Sequence, residues 1–136
     1  MELTVEIAAI RDGMGDPGRL VGEFRRAALL VPLAEGPDGG LMSAVSGGIR
    51  WIYAFTDEEA LARFAQARGE AESGREWEFL SVLGARLVDA VVPLAEGPAG
   101  VVVNVADGDG SMFFPPVVGI VPDANAVDLA GPGEVA

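Results

Sequence analysis

The sequence lacks cysteine, histidine and lysine, and its nine basic residues are all arginine. Without cysteine the chain can form no disulfide bond, thiolate nucleophile or thiolate metal site. Without histidine it lacks the side chain most often used for proton transfer near neutral pH and the commonest transition-metal ligand. Histidine-based triads, dyads and zinc sites are therefore excluded.

Positive charge is also scarce. The chain has 21 acidic residues against 9 basic ones and a formal net charge of −12. Such a chain repels phosphate backbones and anionic membrane surfaces, so we expect no nucleic-acid partner and no membrane partner. No N-terminal signal pattern is visible, and no apolar run approaches the roughly 18 residues that a spanning helix needs. We therefore expect a cytoplasmic protein.

The length of 136 residues fits one domain with a sizeable core. We predict a single domain over residues 1–123. Residues 124–136 contain a smaller proportion of large apolar residues and end in AGPGEVA, which predicts a loose C-terminal tail.

The heptapeptide VPLAEGP occurs twice, at residues 31–37 and 92–98. A tandem repeat would carry similar flanking sequence, but FRRAAL precedes the first copy and LVDAV precedes the second. We therefore interpret the two copies as the same Pro- and Gly-containing terminating sequence at the end of two different secondary-structure elements. The first is predicted to end a strand and the second to end a helix.

The N-terminal third favours two helices and a strand. Leu3, Ile7 and Ile10 lie on one helical face, and the next helix is predicted to begin after the cap Asp16 and to end near Ala27. Alternating apolar residues then predict a strand over residues 29–34, closed by the turn GPDGG at 36–40.

The segments LMSAVS and IRWIYAF flank Gly47-Gly48, which predicts a two-residue β-hairpin. The register pairs Ser46 with Ile49, Ala44 with Trp51 and Met42 with Tyr53. Because the second strand is apolar on both sides, we expect it to be central in the sheet, with Trp51 buried.

The stretch TDEEALARFAQARG is typical of an amphipathic helix over residues 57–68. We predict Thr56 as its N-cap, in a capping box with Glu59, and an ion pair from Glu59 to Arg63 one turn on. The three carboxylates at the helix start are explained by the helix dipole rather than by a metal site.

The C-terminal half predicts a strand at WEFLSV and a helix whose apolar stripe is Leu83, Leu87, Val91 and Leu94. A strand over 100–106, the turn DGDGS and short extended pieces interrupted by prolines follow. The fold class is α/β (α+β), a mixed sheet of about five to six strands with a β-hairpin and about four helices packed on it.

Four stretches resemble the N-terminal domain of the enhanced-serine-sensitivity (SseB) family, in its short single-domain actinomycete form. They are VPL at 31–33, WIYAFTDEEALARFA at 51–65, GVVVNVADG at 100–108 and FFPPVVGIVPDA at 113–124. Family members often carry a serine after the Phe-Thr pair and an asparagine-proline turn, whereas this chain has Asp57, and Val105 after Asn104. The resemblance implies helices packed on a mixed sheet and an adaptor or accessory role, and no catalytic set.

The residue types offer little for catalysis or metal binding. Asp107-Gly-Asp109-Gly looks like the front of a calcium loop, but its twelfth position is Val118, where a carboxylate is required. We interpret it as a turn. Nothing in the sequence places two carboxylates opposite each other in an apolar pocket. We predict no enzyme, no catalytic, cofactor-binding or metal-binding residues and no cofactor.

One segment favours a protein interface. The large apolar side chains of MFFPPVV are joined to two prolines that remove backbone donors, so the segment must be a sheet edge or an ordered loop. We predict a surface for a protein partner or for self-association at Met112, Phe113, Phe114, Pro115 and Pro116.

The predicted function is a non-catalytic protein-interaction or accessory domain; the alternative is a small-molecule-binding or carboxylate-based enzyme domain.

Overall fold

A computed structural model describes residues 2–34, 40–69 and 78–128 of the chain. The helices are α1 (Leu3–Arg11), α2 (Pro17–Arg26), α3 (Glu58–Ala67) and α4 (Gly84–Arg86), and α4 continues as a π turn (Leu87–Val91) and a 3-10 turn (Val92–Leu94). The strands are β1 (Ala28–Pro32), β2 (Ser43–Ser46), β3 (Ile49–Ala54), β4 (Phe79–Leu83), β5 (Ala99–Val103) and β6 (Met112–Phe114). Short 3-10 turns lie at Gly108–Gly110 and Asp123–Asn125. The predicted α+β class with a hairpin is confirmed.

The strands form two sheets that are joined by two bridges, Leu30 to Phe55 and Leu33 to Leu41. Four strands form a mixed sheet in the order β2-β3-β5-β6, in which only β3 and β5 are parallel. The antiparallel pair β1-β4 is joined to the end of β3 by the bridge between Leu30 and Phe55. Strand β1 therefore lies between β4 and the four-stranded sheet.

The hairpin has the predicted register, with Ser46 opposite Ile49 and Ala44 opposite Trp51. Gly47 and Gly48 take φ values of 63° and 81°. These are the left-handed angles that a two-residue turn of this kind requires, and glycine adopts them without strain. Strand β3 is central, as predicted, because β5 pairs with its other edge.

The larger core lies between the four-stranded sheet and helices α1 and α2. At its centre the rings of Phe24 and Phe114 stack with centroids 4.2 Å apart. Residues on the inner faces of the surrounding elements complete it, among them Leu3, Ile7, Leu20, Leu29, Val31, Ile52, Ala54, Leu87, Val88, Val101 and Val103. A smaller core lies under α3 on the opposite face of the sheet and consists of Phe55, Ala60, Leu61 and Phe64.

The helical segment after β4 is where the predicted apolar stripe is partly wrong. Leu87 is buried as expected, but Leu83 and Leu94 are 52% and 82% exposed, and Val88 and Val92 are buried instead. Leu83 is still the last residue of β4, and the later π turn inserts an i→i+5 step, which shifts the residues after it away from the ideal 3.6-residue period.

The cap of α3 is also corrected. The N-cap is Asp57, whose carboxylate accepts the N–H of Ala60 at 2.8 Å, and not Thr56. The hydroxyl of Thr56 accepts a hydrogen bond from Asn104 instead. The predicted partner of Arg63 changes in the same way, because its guanidinium binds Asp107 at 2.7 Å rather than the carboxylate of Glu59.

Strand β5 is shorter than the predicted 100–106. It ends at Val103 because Asn104 adopts φ 53°, a left-handed conformation that stops the extended chain and that asparagine tolerates better than most residues. The predicted turn at 36–40 falls almost entirely outside the described residues. Most of the predicted loop at 69–75, the start of the WEFLSV strand and residues 129–136 of the predicted tail also lie outside them.

The cap assignment predicts a specific sensitivity. Asp57→Ala removes the acceptor for the Ala60 N–H and should lower the free energy of unfolding by about 1 kcal/mol. Asp57→Ser is the matched control, since serine also caps, and it should cost far less. Urea denaturation of the three proteins measures the difference; equal stability of Asp57→Ala and the parent would contradict the assignment.

A second prediction concerns pH. Arg25 on α2 makes two hydrogen bonds to Asp89 on the π turn, at 3.2 and 2.6 Å, and these lower the pKa of Asp89. A carboxyl with a depressed folded pKa stabilises the fold above its unfolded pKa, about 3.9, and loses that contribution as the pH falls through the folded value.

Because both side chains are largely exposed, Asp89→Asn should cost less than about 1 kcal/mol at pH 7. The stability difference between Asp89→Asn and the parent should shrink as the pH falls below the unfolded pKa of Asp89 and vanish below its lowered folded pKa. Urea midpoints measured at several pH values check this, and a pH-independent difference would show that the ion pair is not its cause.

Candidate functional site

The five residues predicted to form a partner surface do not all lie on the surface, because successive side chains of a strand point to opposite faces of the sheet. Phe114 points into the larger core and is 1% exposed, while Phe113 points to the opposite face and is 51% exposed. Met112 packs beside the larger core, Pro115 is half-buried and Pro116 is buried. The two phenylalanines therefore have different roles, one in the core and one on the surface.

Phe113 lies on the face of the sheet opposite the larger core, and two rows of side chains cross the strands on this face. One row runs Ala44, Trp51, Gly100 and the other runs Tyr53, Val102, Phe113. Helix α3 covers the Tyr53 side of this face, where the rings of Tyr53 and Phe64 have centroids 5.0 Å apart.

At the other side, Trp51 and Phe113 meet edge to face, with centroids 4.9 Å apart and an interplanar angle of 86°. This geometry is favourable for aromatic pairs. The half-buried indole and the half-exposed phenyl ring thus present a preformed apolar surface. We name the group Trp51, Gly100, Phe113 and Pro116 the aromatic face.

Gly100 explains how Trp51 fits against the sheet. A Cβ at Gly100 would lie 2.6 Å from the carbonyl oxygen of Phe114, 2.9 Å from the indole ring of Trp51 and 3.2 Å from Cδ of Pro116. Only glycine allows such close approach. Trp51 was predicted to be buried and is a surface residue instead. The sequence signal for this position is Gly100, a glycine beside three valines in β5, which marks close contact with another group.

Asn104 fixes the carboxyl ends of the two parallel strands behind this face. Its side chain is 3% exposed, its Oδ1 accepts the N–H of Thr56 at 3.0 Å and its Nδ2 donates to Thr56 Oγ1 at 3.0 Å. Its own N–H donates to the carbonyl of Ala54 at 2.9 Å. The amide therefore sets where β3 turns into α3.

The turn after Asn104 holds α3 in place from outside. Asp107 receives hydrogen bonds from Arg63 at 2.7 and 2.8 Å, and this pairing raises the pKa of Arg63. Asp107 belongs to the DGDG turn that resembles the start of a calcium loop. Both of its carboxylate oxygens accept hydrogen bonds from Arg63. Among residues 2–34, 40–69 and 78–128, no three carboxylates gather to hold a metal ion.

The segments next to the aromatic face carry exposed carboxylates. Asp109 lies in the 3-10 turn just before β6. Asp128 is brought near Pro116, because the N–H of Val127 donates to the Pro116 carbonyl at 2.8 Å. A partner of the aromatic face therefore meets an apolar centre beside negative charge.

A separate open cleft of about 480 Å³ lies where α1, α2 and α3 converge. Its lining is Glu2, Leu3, Thr4, Glu23, Arg26, Ala27, Ala28, Thr56 and Asp57. Arg26 binds Glu23 at 2.6 Å, and this hydrogen bond lowers the pKa of Glu23. Glu23 is therefore held ionised, the opposite of what a general acid needs at neutral pH.

Comparison of the chain with protein-family models, with curated proteins and with solved structures gives no match. The resemblance to the SseB family therefore stays a prediction from the sequence. In the described part of the chain, every helix is too short or too polar to cross a membrane.

The close packing at Gly100 predicts that Gly100→Ala displaces the Trp51 ring and destabilises the protein by roughly 1–3 kcal/mol, the usual cost of overpacking. Gly97→Ala is the matched control, because a Cβ there meets nothing within 4 Å. Urea denaturation gives the stability, and tryptophan fluorescence in a Trp77→Phe background reports on the ring. An unchanged spectrum and an unchanged midpoint for Gly100→Ala would refute the contact.

Proposed function

We propose that this protein is a non-catalytic interaction domain that binds a protein partner through the aromatic face. The observation that carries the proposal is the edge-to-face pair of Trp51 and Phe113, which is held against the sheet with Trp51 half-buried and Phe113 51% exposed. Large aromatic side chains in a rigid setting are the residues that most often dominate binding energy at interfaces. Their position on strands rather than on a loop means that little entropy is lost when they are covered.

The charge of the chain indicates the kind of partner. The net charge is −12, and the charge of Arg63 near this face is compensated by Asp107. A basic partner with apolar anchors would be steered towards this acidic chain, whereas an acidic one would be repelled.

The proposal includes an adaptor or accessory role of the kind that the SseB resemblance implies, regulatory or connected with secretion, in the cytoplasm. The DEEAL helix start that carries much of that resemblance is structural here, since Asp57 caps α3 and Leu61 fills the smaller core. The resemblance therefore supports a shared scaffold more directly than a shared chemistry.

The decisive experiment compares variants of the aromatic face in pull-downs from the native cytoplasm. Phe113→Asp should stay folded and lose the partner, because the ring is half-exposed and the new charge repels an apolar anchor. Phe113→Leu should keep most binding. Leu94→Asp is the surface control: Leu94 is 82% exposed on a different element, so its change should leave binding intact.

Phe114→Asp should unfold the protein, since the side chain is 1% exposed at the centre of the larger core. Any protein captured by the parent should then be purified and its Kd measured against the parent and against Phe113→Asp, Phe113→Leu and Leu94→Asp. Equal affinity for the parent and for folded Phe113→Asp would overturn the proposal.

The cleft between the helices favours a second candidate, small-molecule binding. It is open and polar, and Arg26 at its rim is 67% exposed while Glu23 beneath it is only 11% exposed. A thermal-shift screen with small carboxylates and amines, repeated on Arg26→Gln, tests it. A shift of several degrees that Arg26→Gln abolishes would favour this candidate over the aromatic face.

A further inference from the structure

Strand β4 pairs only with β1 among the described strands, and its composition is unusual for an edge strand. It reads FLSVL and contains no charged residue, no proline and no glycine. The other two edge strands are shorter: β2 has four residues, and β6 has three and runs into Pro115-Pro116. Proteins usually protect edges with charge, proline or short length, because a long apolar edge recruits another strand.

The register shows which backbone groups of β4 face outward. Leu33 N–H donates to the Glu78 carbonyl and Gly84 N–H donates to the Ala27 carbonyl, both at 2.9 Å. Hydrogen-bonded pairs alternate along an antiparallel ladder, so Leu80 and Val82 bond to β1. Phe79, Ser81 and Leu83 therefore direct their N–H groups away from β1.

Among the residues that the structure describes, no backbone hydrogen bond reaches the outward groups of Phe79 and Ser81. The neighbouring side chains are apolar and accessible, with Leu80 49% and Leu83 52% exposed. Within residues 2–34, 40–69 and 78–128, β4 thus presents a row of backbone donors and acceptors that no strand bonds, beside exposed leucines.

We propose that β4 pairs with β4 of a second copy of this chain, antiparallel about a two-fold axis at Ser81. The two Ser81 residues then exchange both hydrogen bonds, and Leu83 N–H of each copy donates to the Phe79 carbonyl of the other. The two β1-β4 pairs join into one four-stranded sheet. This self-association is independent of the proposed function, because β4 and β6 lie at opposite ends of the strand order.

Charge complementarity selects a second copy as the occupant. In this register Glu78 lies opposite Gly84 of the second copy, two residues from that copy's Arg86. Both side chains are exposed, and neither makes an ion pair with any described residue. The two-fold axis therefore creates two Glu78–Arg86 pairs between the copies. Within one copy the two residues are about 20 Å apart along the strand, too far to pair.

The repulsion between two copies of net charge −12 does not prevent this contact. At physiological ionic strength, charges more than about 8 Å apart are largely screened. The strand itself contributes no charge, and the nearest charges at its two ends are of opposite sign.

The first test is the self-association constant of the full chain in 0.15 M salt, measured by sedimentation equilibrium. Ser81→Pro removes the central outward N–H but none of the bonds to β1, and should raise the dimer Kd roughly tenfold to a hundredfold. Ser81→Thr keeps the N–H and should dimerise like the parent. Circular dichroism confirms that each variant is folded.

The second test is a charge swap, which does not depend on a proline. Glu78→Arg and Arg86→Glu should each raise the dimer Kd roughly threefold to tenfold, and the double variant should restore it. Restoration is possible only between copies, because the two residues are too far apart within one copy.

The outcomes separate this proposal from the aromatic face. A parent that stays monomeric at all accessible concentrations overturns it, and so does a dimer that survives in folded Ser81→Pro. A dimer lost in Phe113→Asp but kept in Ser81→Pro would place the contact at the aromatic face instead. If the charge swap fails to restore dimerisation, the two-fold register about Ser81 is wrong.

Discussion

The structure depends on the burial of both faces of β5. All five residues of this strand are buried, although the strand carries no side chain larger than valine. Small β-branched residues cannot fill a core by themselves, so each face requires large side chains from neighbouring elements. Phe24 and Phe114 supply them on one side, and Trp51, Tyr53 and Phe113 supply them on the other.

The two faces of β5 are covered unequally, and this difference produces the candidate site. Helices α1 and α2 and the helical segment after β4 close the first face completely. On the second face, α3 closes the smaller core around Phe55 and Phe64, but it does not extend over Trp51 and Phe113. These two rings cover β5 and at the same time form part of the surface. The aromatic face is therefore a consequence of covering a central strand with a helix of only ten residues.

Polar contacts place α3 where this arrangement needs it. The buried amide of Asn104 joins the ends of β3 and β5 through Thr56, and Arg63 holds the far side of the helix to Asp107. Asn104 is buried and hydrogen-bonded, so its contact is protected from solvent. The Arg63 pair is more exposed and orients the helix more than it stabilises the fold. At the other end of the strand order, β4 is fixed by main-chain bonds to β1, and no other strand of the described residues pairs with its outer edge.

Local sequence patterns determined which segments are helices and strands and the register of the hairpin. Periodicity, the Gly47-Gly48 pair and the Asp16-Pro17 helix start depend only on short-range geometry, which acts identically in any fold. The alternation of Phe113 and Phe114 follows from the strand period of two, although the sequence alone does not say which ring is outside. Composition likewise determined the charge and excluded histidine and cysteine chemistry.

The tertiary structure decided which of several residues with the same local ability to cap a helix or to pair with an arginine takes that role. Thr56 and Asp57 can both cap a helix, and Asn104, which is 48 residues away, takes the hydroxyl of Thr56 and leaves the cap to Asp57. Glu59 and Asp107 can both bind Arg63, and the turn after β5 brings Asp107 closer. Trp51 is a large apolar residue of the kind that fills cores, and it stays half-exposed because α3 covers Tyr53 on the same face and does not extend over Trp51. Contacts between distant segments depend on how the sheet is assembled, and no short-range pattern records that assembly.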